Sequence, residues 1–294
     1  MEFQELLSEK IAELLHELSV LPYDNMHFKG PVISWAIMTN YTAWLVIASV
    51  IVAVMWIVAA NSSRKRLALA EQSGKVGDLA PTGRFVSVME MGLEFIRDMS
   101  VDVIGEKEGK KYTGLLATFF FLILVSNLLG LIPGGKSFAG SMGGTTALAL
   151  LSWLIFVWVG FTKNGFFGYF KSLIPSGVRE MGLGGRILLG GFLFILEFIS
   201  TFLVRPLTLA VRLFANMFAG HIVLGIFAAF VFMFWPIVQP AMEASLGSFA
   251  AGAVSMLFLI IMYAFELFVA FIQAYVFTIL TAVYIQSSVH ASEH

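Results

Sequence analysis

Apolar and polar positions alternate in three ways along this chain, and each predicts a different kind of helix. Near the N-terminus Leu7, Ile11, Leu14, Leu15 and Leu18 recur at spacings of three and four, with Glu5, Glu9, Glu13 and Glu17 between them. That pattern predicts an amphipathic helix over residues 1–20. Charge-free apolar runs predict membrane-spanning helices at 35–60, 112–132 and 145–162. In the first, Trp35, Tyr41, Trp44 and Trp56 are candidate interfacial anchors. Residues 84–104 combine both signals: Phe85, Val88, Met89, Leu93, Ile96 and Val103 sit among Glu90, Glu94, Arg97, Asp98 and Asp102. That is too charged to cross and predicts a helix lying on the membrane surface. Between these elements, 22–31, 61–83 and 134–144 read as loops. The run EKEGKK at 106–111 reads as a solvated charge run, and GFFGYF at 165–170 is apolar enough to sit in the interface.

The last hundred residues do not fit ordinary crossings. The run 187–235 is interrupted among ionisable groups only by Glu197, Arg205, Arg212 and His221, and the run 246–285 only by Glu266. A helix of about 40 residues is about 60 Å long, twice the hydrocarbon thickness of a bilayer. Either each run folds into two short crossings, or each is one long, steeply tilted helix. Pro206 offers a bend in the first run, but the second has only Gly247 and Gly252 near its start. The pattern therefore favours at least one long tilted helix.

Composition agrees: 59% of residues are hydrophobic and 13% charged, which defines an integral membrane protein. The net charge of −1 leaves no basic footprint for a nucleic-acid partner, and the absence of cysteine excludes disulfides and thiolate metal sites. The N-terminus lacks the basic-then-apolar layout of a cleaved signal peptide, and no polar stretch is long enough for a separate soluble core. Basic residues Arg64, Lys65, Arg66, Lys163, Lys171, Arg179 and Arg186 place their segments in the cytoplasm, with the acidic N-terminus outside and the C-terminus inside. Three regions follow: 1–34, an outer amphipathic segment and loop; 35–186, the first span, the surface helix and a spanning hairpin; and 187–294, the two long runs. No internal repeat of the kind common in secondary transporters relates the halves.

The chemistry gathers in the long runs. Within 204–224, Arg205 and Arg212 are seven residues apart and project within about 20° of each other on a helix, with Asn216 one turn beyond on nearly the same face and His221 pointing away. Arg205, just before Pro206, either snorkels to the interface or faces a buried partner. Arg212 has apolar sequence far on both sides, and an arginine at bilayer depth costs roughly 2.5–3.5 kcal/mol on insertion scales, so it calls for a partner or a water path. In the second run Glu266 and Gln273 share a face, with Ala270 between them and Tyr263 one turn earlier. An isolated carboxylate among Met262, Phe265, Leu267 and Phe268 favours its neutral form unless a neighbour holds it charged, and His221 is the candidate neighbour. Two readings stay open. Glu197, His221 and Glu266 are stations of a proton path with Arg212 as its barrier, or His221 and Glu266 are a pair that pins two helices together. No nucleophile set, metal-ligand cluster or phosphate-binding loop is present, so neither covalent catalysis nor a cofactor is expected.

Three segments carry a family resemblance. RLFANMFAGH at 212–221, FIQAYVFTILTAVYI at 271–285 and NLLGLIP at 127–133 resemble subunit a of F-type ATP synthases. The resemblance implies an all-α membrane protein with five membrane-spanning segments plus a cytoplasmic surface helix, the last two spans long and strongly tilted. It implies a non-catalytic, proton-translocating stator in a bacterial inner membrane. Its partners would be a ring of c subunits, the peripheral-stalk b subunits, other ATP synthase subunits and membrane lipid. By position, Arg212 matches the family's essential arginine, Asn216 its asparagine and Gln273 the glutamine of the last helix. Many bacterial members carry glutamate where this chain has His221 and histidine where it has Glu266; here the pair is exchanged, as in mitochondrial members. Arg205 matches a position often basic beside the proline, and Glu197 resembles the acidic residue of the same helix. The readings from other classes are a self-contained proton channel or proton-coupled transporter and, third, a membrane scaffold.

Overall fold

The computed structural model describes residues 40–73, 83–132, 135, 137–172, 183–234 and 246–289. The helix expected at 1–20, Trp35 and the loop at 22–31 lie outside the described residues. Every regular element described is helical: α1 (Asn40–Ser73), α2 (Arg84–Ile104), α3 (Glu106–Leu131), a single 3-10 turn (Phe138–Gly140), α4 (Met142–Asn164), α5 (Phe166–Ser172), α6 (Leu183–Ile199), a wide turn (Ser200–Val204), α7 (Arg205–Phe234) and α8 (Leu246–Val289). Five of the helices, with α6 and α7 counted as one, are long and apolar enough to cross a membrane.

One sequence expectation is corrected. The loop expected at 61–83 is not a loop over 61–73, which are helical and belong to α1. That segment lacks Gly and Pro and is rich in good helix formers, so nothing stops the helix before Gly74. Arg66 rides on it and is buried, paired with Glu90 of α2. The charge run at 106–111 opens α3 and keeps Glu106, Lys107, Lys110 and Lys111 exposed, with Glu106 and Glu108 in the first turn suiting the positive end of the helix dipole. Glu106 pairs with Lys110 at 2.7 Å, and Glu108 reaches Lys163 of α4 at 2.6 Å. Gly105 makes the turn from α2 to α3 with φ of 103°, a conformation a side chain would strain.

α2 forms where the mixed pattern predicts it. It turns Met89, Ile96, Met99 and Ile104 into the core, where it meets α1, α3 and α8. Phe85 and Val88, two further apolar positions of the pattern, are 53% and 66% exposed near the start of the helix.

The long runs each form one continuous helical rod, which removes the two-crossing alternative. α8 is 44 residues long, about 66 Å. It packs against α7, α3, α4 and α2. The second half of α8 buries Ala270, Ala274, Phe277, Ala282 and Ile285, and the small residues among them allow close helix approach. Ser152 and Thr281 share a hydrogen bond at 3.0 Å, and Asn164 donates to the Ser288 carbonyl at 2.8 Å, which fixes α4 against the end of α8.

Candidate functional site

α7 is divided lengthwise by its own sequence. Pro206, Leu209, Ala210, Leu213, Met217 and Gly220 recur at three and four and are buried against the bundle. Arg212 stands one position off that stripe and is exposed. It makes no hydrogen bond or ion pair with any described residue, so a fixed cation projects from the apolar outer face of the helix. Asn216, one turn on, donates to Gln273 Oε1 of α8 at 2.5 Å. Gln273 is buried, and its Nε2 has no partner among the described residues. The structure thus joins two residues that the sequence places on separate helices.

Beyond Arg212, toward the Leu131 end of α3, lies a second group. Glu266 is 3% exposed and its Oε2 finds no hydrogen-bond partner among the described residues. Its carboxylate lies directly over Gly220 of α7, where any side chain would collide with it. His221 is the next residue, yet it does not bond Glu266: its Nε2 lies 3.1 Å from the Gly130 carbonyl of α3. Tyr263 donates to the adjacent Leu131 carbonyl at 2.9 Å. His221 and Glu266 are therefore near neighbours without being an ion pair. Asn127, fully buried in α3, accepts from Ser137 Oγ at 3.1 Å while its Nδ2 has no partner among the described residues. Asn127 is the one strongly polar side chain of the run 112–132 and is not among the candidate residues taken from the sequence. That isolation in a charge-free span was the available signal.

On the other side of Arg212 is the third group. Arg205 donates to Glu197 Oε1 at 2.6 Å, and Thr201 Oγ1 donates to the same oxygen at 3.3 Å. The Arg205 guanidinium also sits over the Tyr284 ring of α8, 5.3 Å from its centre. Of the two readings open for Arg205, the structure shows the paired one. An α-helix would put residues eight apart about 80° out of line. The turn Ser200–Val204 is wide, with the Arg205 N–H donating to Ser200 O five residues back, and it takes up the extra residue so that Glu197 and Arg205 share a face.

Along α7 the three features are spaced in order. Arg212 is about 10 Å of helix from Arg205 and about 13 Å from His221. Titratable side chains thus lie on both sides of an unpaired arginine, inside helices that cross a membrane.

These features define a polytopic α-helical membrane protein with ionisable groups arranged in series through its apolar interior. The family model for the ATP synthase A chain matches residues 42–286, and the chain belongs to that family. It is 37% identical to the ATP synthase subunit a of Rhodopseudomonas palustris strain HaA2 over 95% of this chain and 98% of the relative. It is 42% identical to that of Hyphomonas neptunium over 74% of this chain and 79% of the relative. It is 37% identical to that of Rhodococcus erythropolis over 84% and 80%.

Proposed function

We propose that this chain, the proton-translocating stator subunit of an F-type ATP synthase, conducts protons through two half-channels that meet only at a partner carboxylate opposite Arg212. The observation that carries this reading is Arg212 itself, exposed on the outer face of α7 and without a partner among the described residues. A guanidinium with no anion among the described residues is suited to one from a partner, and the carboxylates of a c-subunit ring are of the right kind. The region 187–294 is then the translocating region, with α6–α7 and α8 lying steeply tilted along the ring. Asn216 and Gln273 stand beside the arginine. His221, Glu266, Tyr263 and Asn127 line the half-channel on one side, and Glu197 with Arg205 the half-channel on the other. Protons cross between them only on the ring carboxylates, because Arg212 repels a proton that would pass directly and favours the ionised carboxylate. The driving force is about 2.3 kcal/mol per charge per 100 mV. The chain itself makes no covalent change in a substrate; the peripheral-stalk b subunits would hold it still against the ring.

The test is reconstitution in liposomes. The purified chain alone is expected to leave an imposed proton gradient intact, and the chain with its ring of c subunits and stalk to conduct. Rapid conduction by the chain alone would replace this reading with a self-contained channel.

Orientation follows from the same proposal: basic residues put the Glu106 end of α3 in the cytoplasm, and the N-terminus and the turn before α4 outside. Lys107 and Met142 are both exposed, and the chain has no cysteine of its own. Lys107→Cys and Met142→Cys should therefore react with an impermeant thiol reagent from opposite sides of membrane vesicles. Labelling of both from one side would overturn this layout.

A further inference from the structure

The wide turn between α6 and α7 has to be held, and its backbone shows by what. A regular helix would pair the Arg205 N–H with Thr201 O, but the bond goes to Ser200 O instead. The next residue is Pro206, which has no N–H to offer. Thr201 O is thereby left without its helical donor in a part of the molecule with no bulk water, where an unsatisfied carbonyl costs several kcal/mol. Trp153 of α4 supplies the missing donor: its Nε1 lies 3.2 Å from Thr201 O. The indole ring is edge-on to Phe202, 5.7 Å between centres, so the donor is seated as well as present. The same turn swings Glu197 into line with Arg205.

We infer that Trp153 is a positioning residue for proton translocation: by donating to Thr201 O it stabilises the wide turn that places Glu197 against Arg205. This rests on the half-channel role proposed above for Glu197. Relaxation to a regular helix would rotate the Glu197 carboxylate about 80° away from its guanidinium partner. Nothing about Trp153 in isolation suggests this, because it sits in a different helix and is neither charged nor titratable.

The experiment compares variants in the assembled synthase, in membrane vesicles, with ATP-driven proton pumping and subunit content read together. Trp153→Phe keeps the ring against Phe202 and removes only the donor; pumping should fall about five- to tenfold at normal subunit content, the scale of one net hydrogen bond. Should Trp153→Phe assemble poorly, Trp153→Gln and Trp153→Met separate donor from packing. The two side chains are of similar size, and only glutamine can donate, so the glutamine variant should pump several-fold faster. The discriminating readout is coupling to Glu197. In a Glu197→Gln background, Trp153→Phe should add little, because both act through one carboxylate. A purely structural tryptophan would multiply the losses, and that result overturns the positioning role. So would full pumping by Trp153→Phe in a complex where Glu197→Gln is impaired. Full pumping by Glu197→Gln removes the half-channel role of Glu197, and the proposal with it.

Discussion

Arg212→Ala should abolish ATP synthesis and ATP-driven proton pumping while leaving the subunit assembled in its complex. The side chain is exposed on the outer face of α7 and makes no contact that holds the described helices together, so its loss leaves the core stripe from Pro206 to Gly220 intact. Its work lies across the face it presents. Truncating one partner of a desolvated charge pair costs about 2–5 kcal/mol or more, enough to slow coupling by about thirtyfold to several thousandfold. Passive proton leak should rise, because nothing then separates the two half-channels. Arg212→Lys should also fail to couple: it keeps the charge but replaces a planar, weakly hydrated guanidinium with a compact and strongly hydrated ammonium. Subunit content, passive leak and pumping measured on the same vesicles decide the matter. Near-normal pumping by an assembled Arg212→Ala complex would sink the mechanism.

Gly220→Ala should slow proton pumping severely, for a steric reason. A methyl group there would occupy the place of the Glu266 carboxylate. What gives way is the end of a flexible side chain and not backbone, so the fold has a cheap escape, and alanine within a helix is favoured over glycine by about 1 kcal/mol. Assembly should therefore survive while the carboxylate is forced off its position; we expect a loss of about tenfold or more, because a misplaced reacting group loses the benefit of orientation. Gly225→Ala is the control, since open space surrounds that glycine. Combining Gly220→Ala with Glu266→Asp, whose side chain is one methylene shorter, should restore part of the rate. If Gly220→Ala pumps normally, the placement of the Glu266 carboxylate is irrelevant to the proton path.

The two positions lie eight residues apart on α7 and show one contrast. Arg212 could be singled out from sequence because a permanent charge deep in an apolar run is costly wherever the chain folds. The importance of Gly220 could not, since it depends on what another helix brings within reach. His221 and Glu266 show the same limit from the other direction. Their chemistry suggested a pair, but the imidazole faces the Gly130 carbonyl on α3, and Glu266 packs over the glycine beside it.

The sequence by itself determined the membrane class, the helical content, the surface helix with its mixed face, and the two runs too long for upright crossings. Each of these follows from local spacing of apolar and charged positions and from the fixed rise of a helix, which need no knowledge of neighbours. It also determined the candidate residues, because charges and amides are conspicuous in an apolar background. Only the tertiary structure decided how charges are satisfied: Arg66 by Glu90 and Glu108 by Lys163, which ties the expected loop segment 61–73 and the charged start of α3 to neighbouring helices. It alone decided that Asn216 meets Gln273 and that a wide turn, capped by an indole from another helix, aligns Glu197 with Arg205. Pairing across helices depends on register and close approach, down to single glycines, and those are set by packing the whole bundle at once.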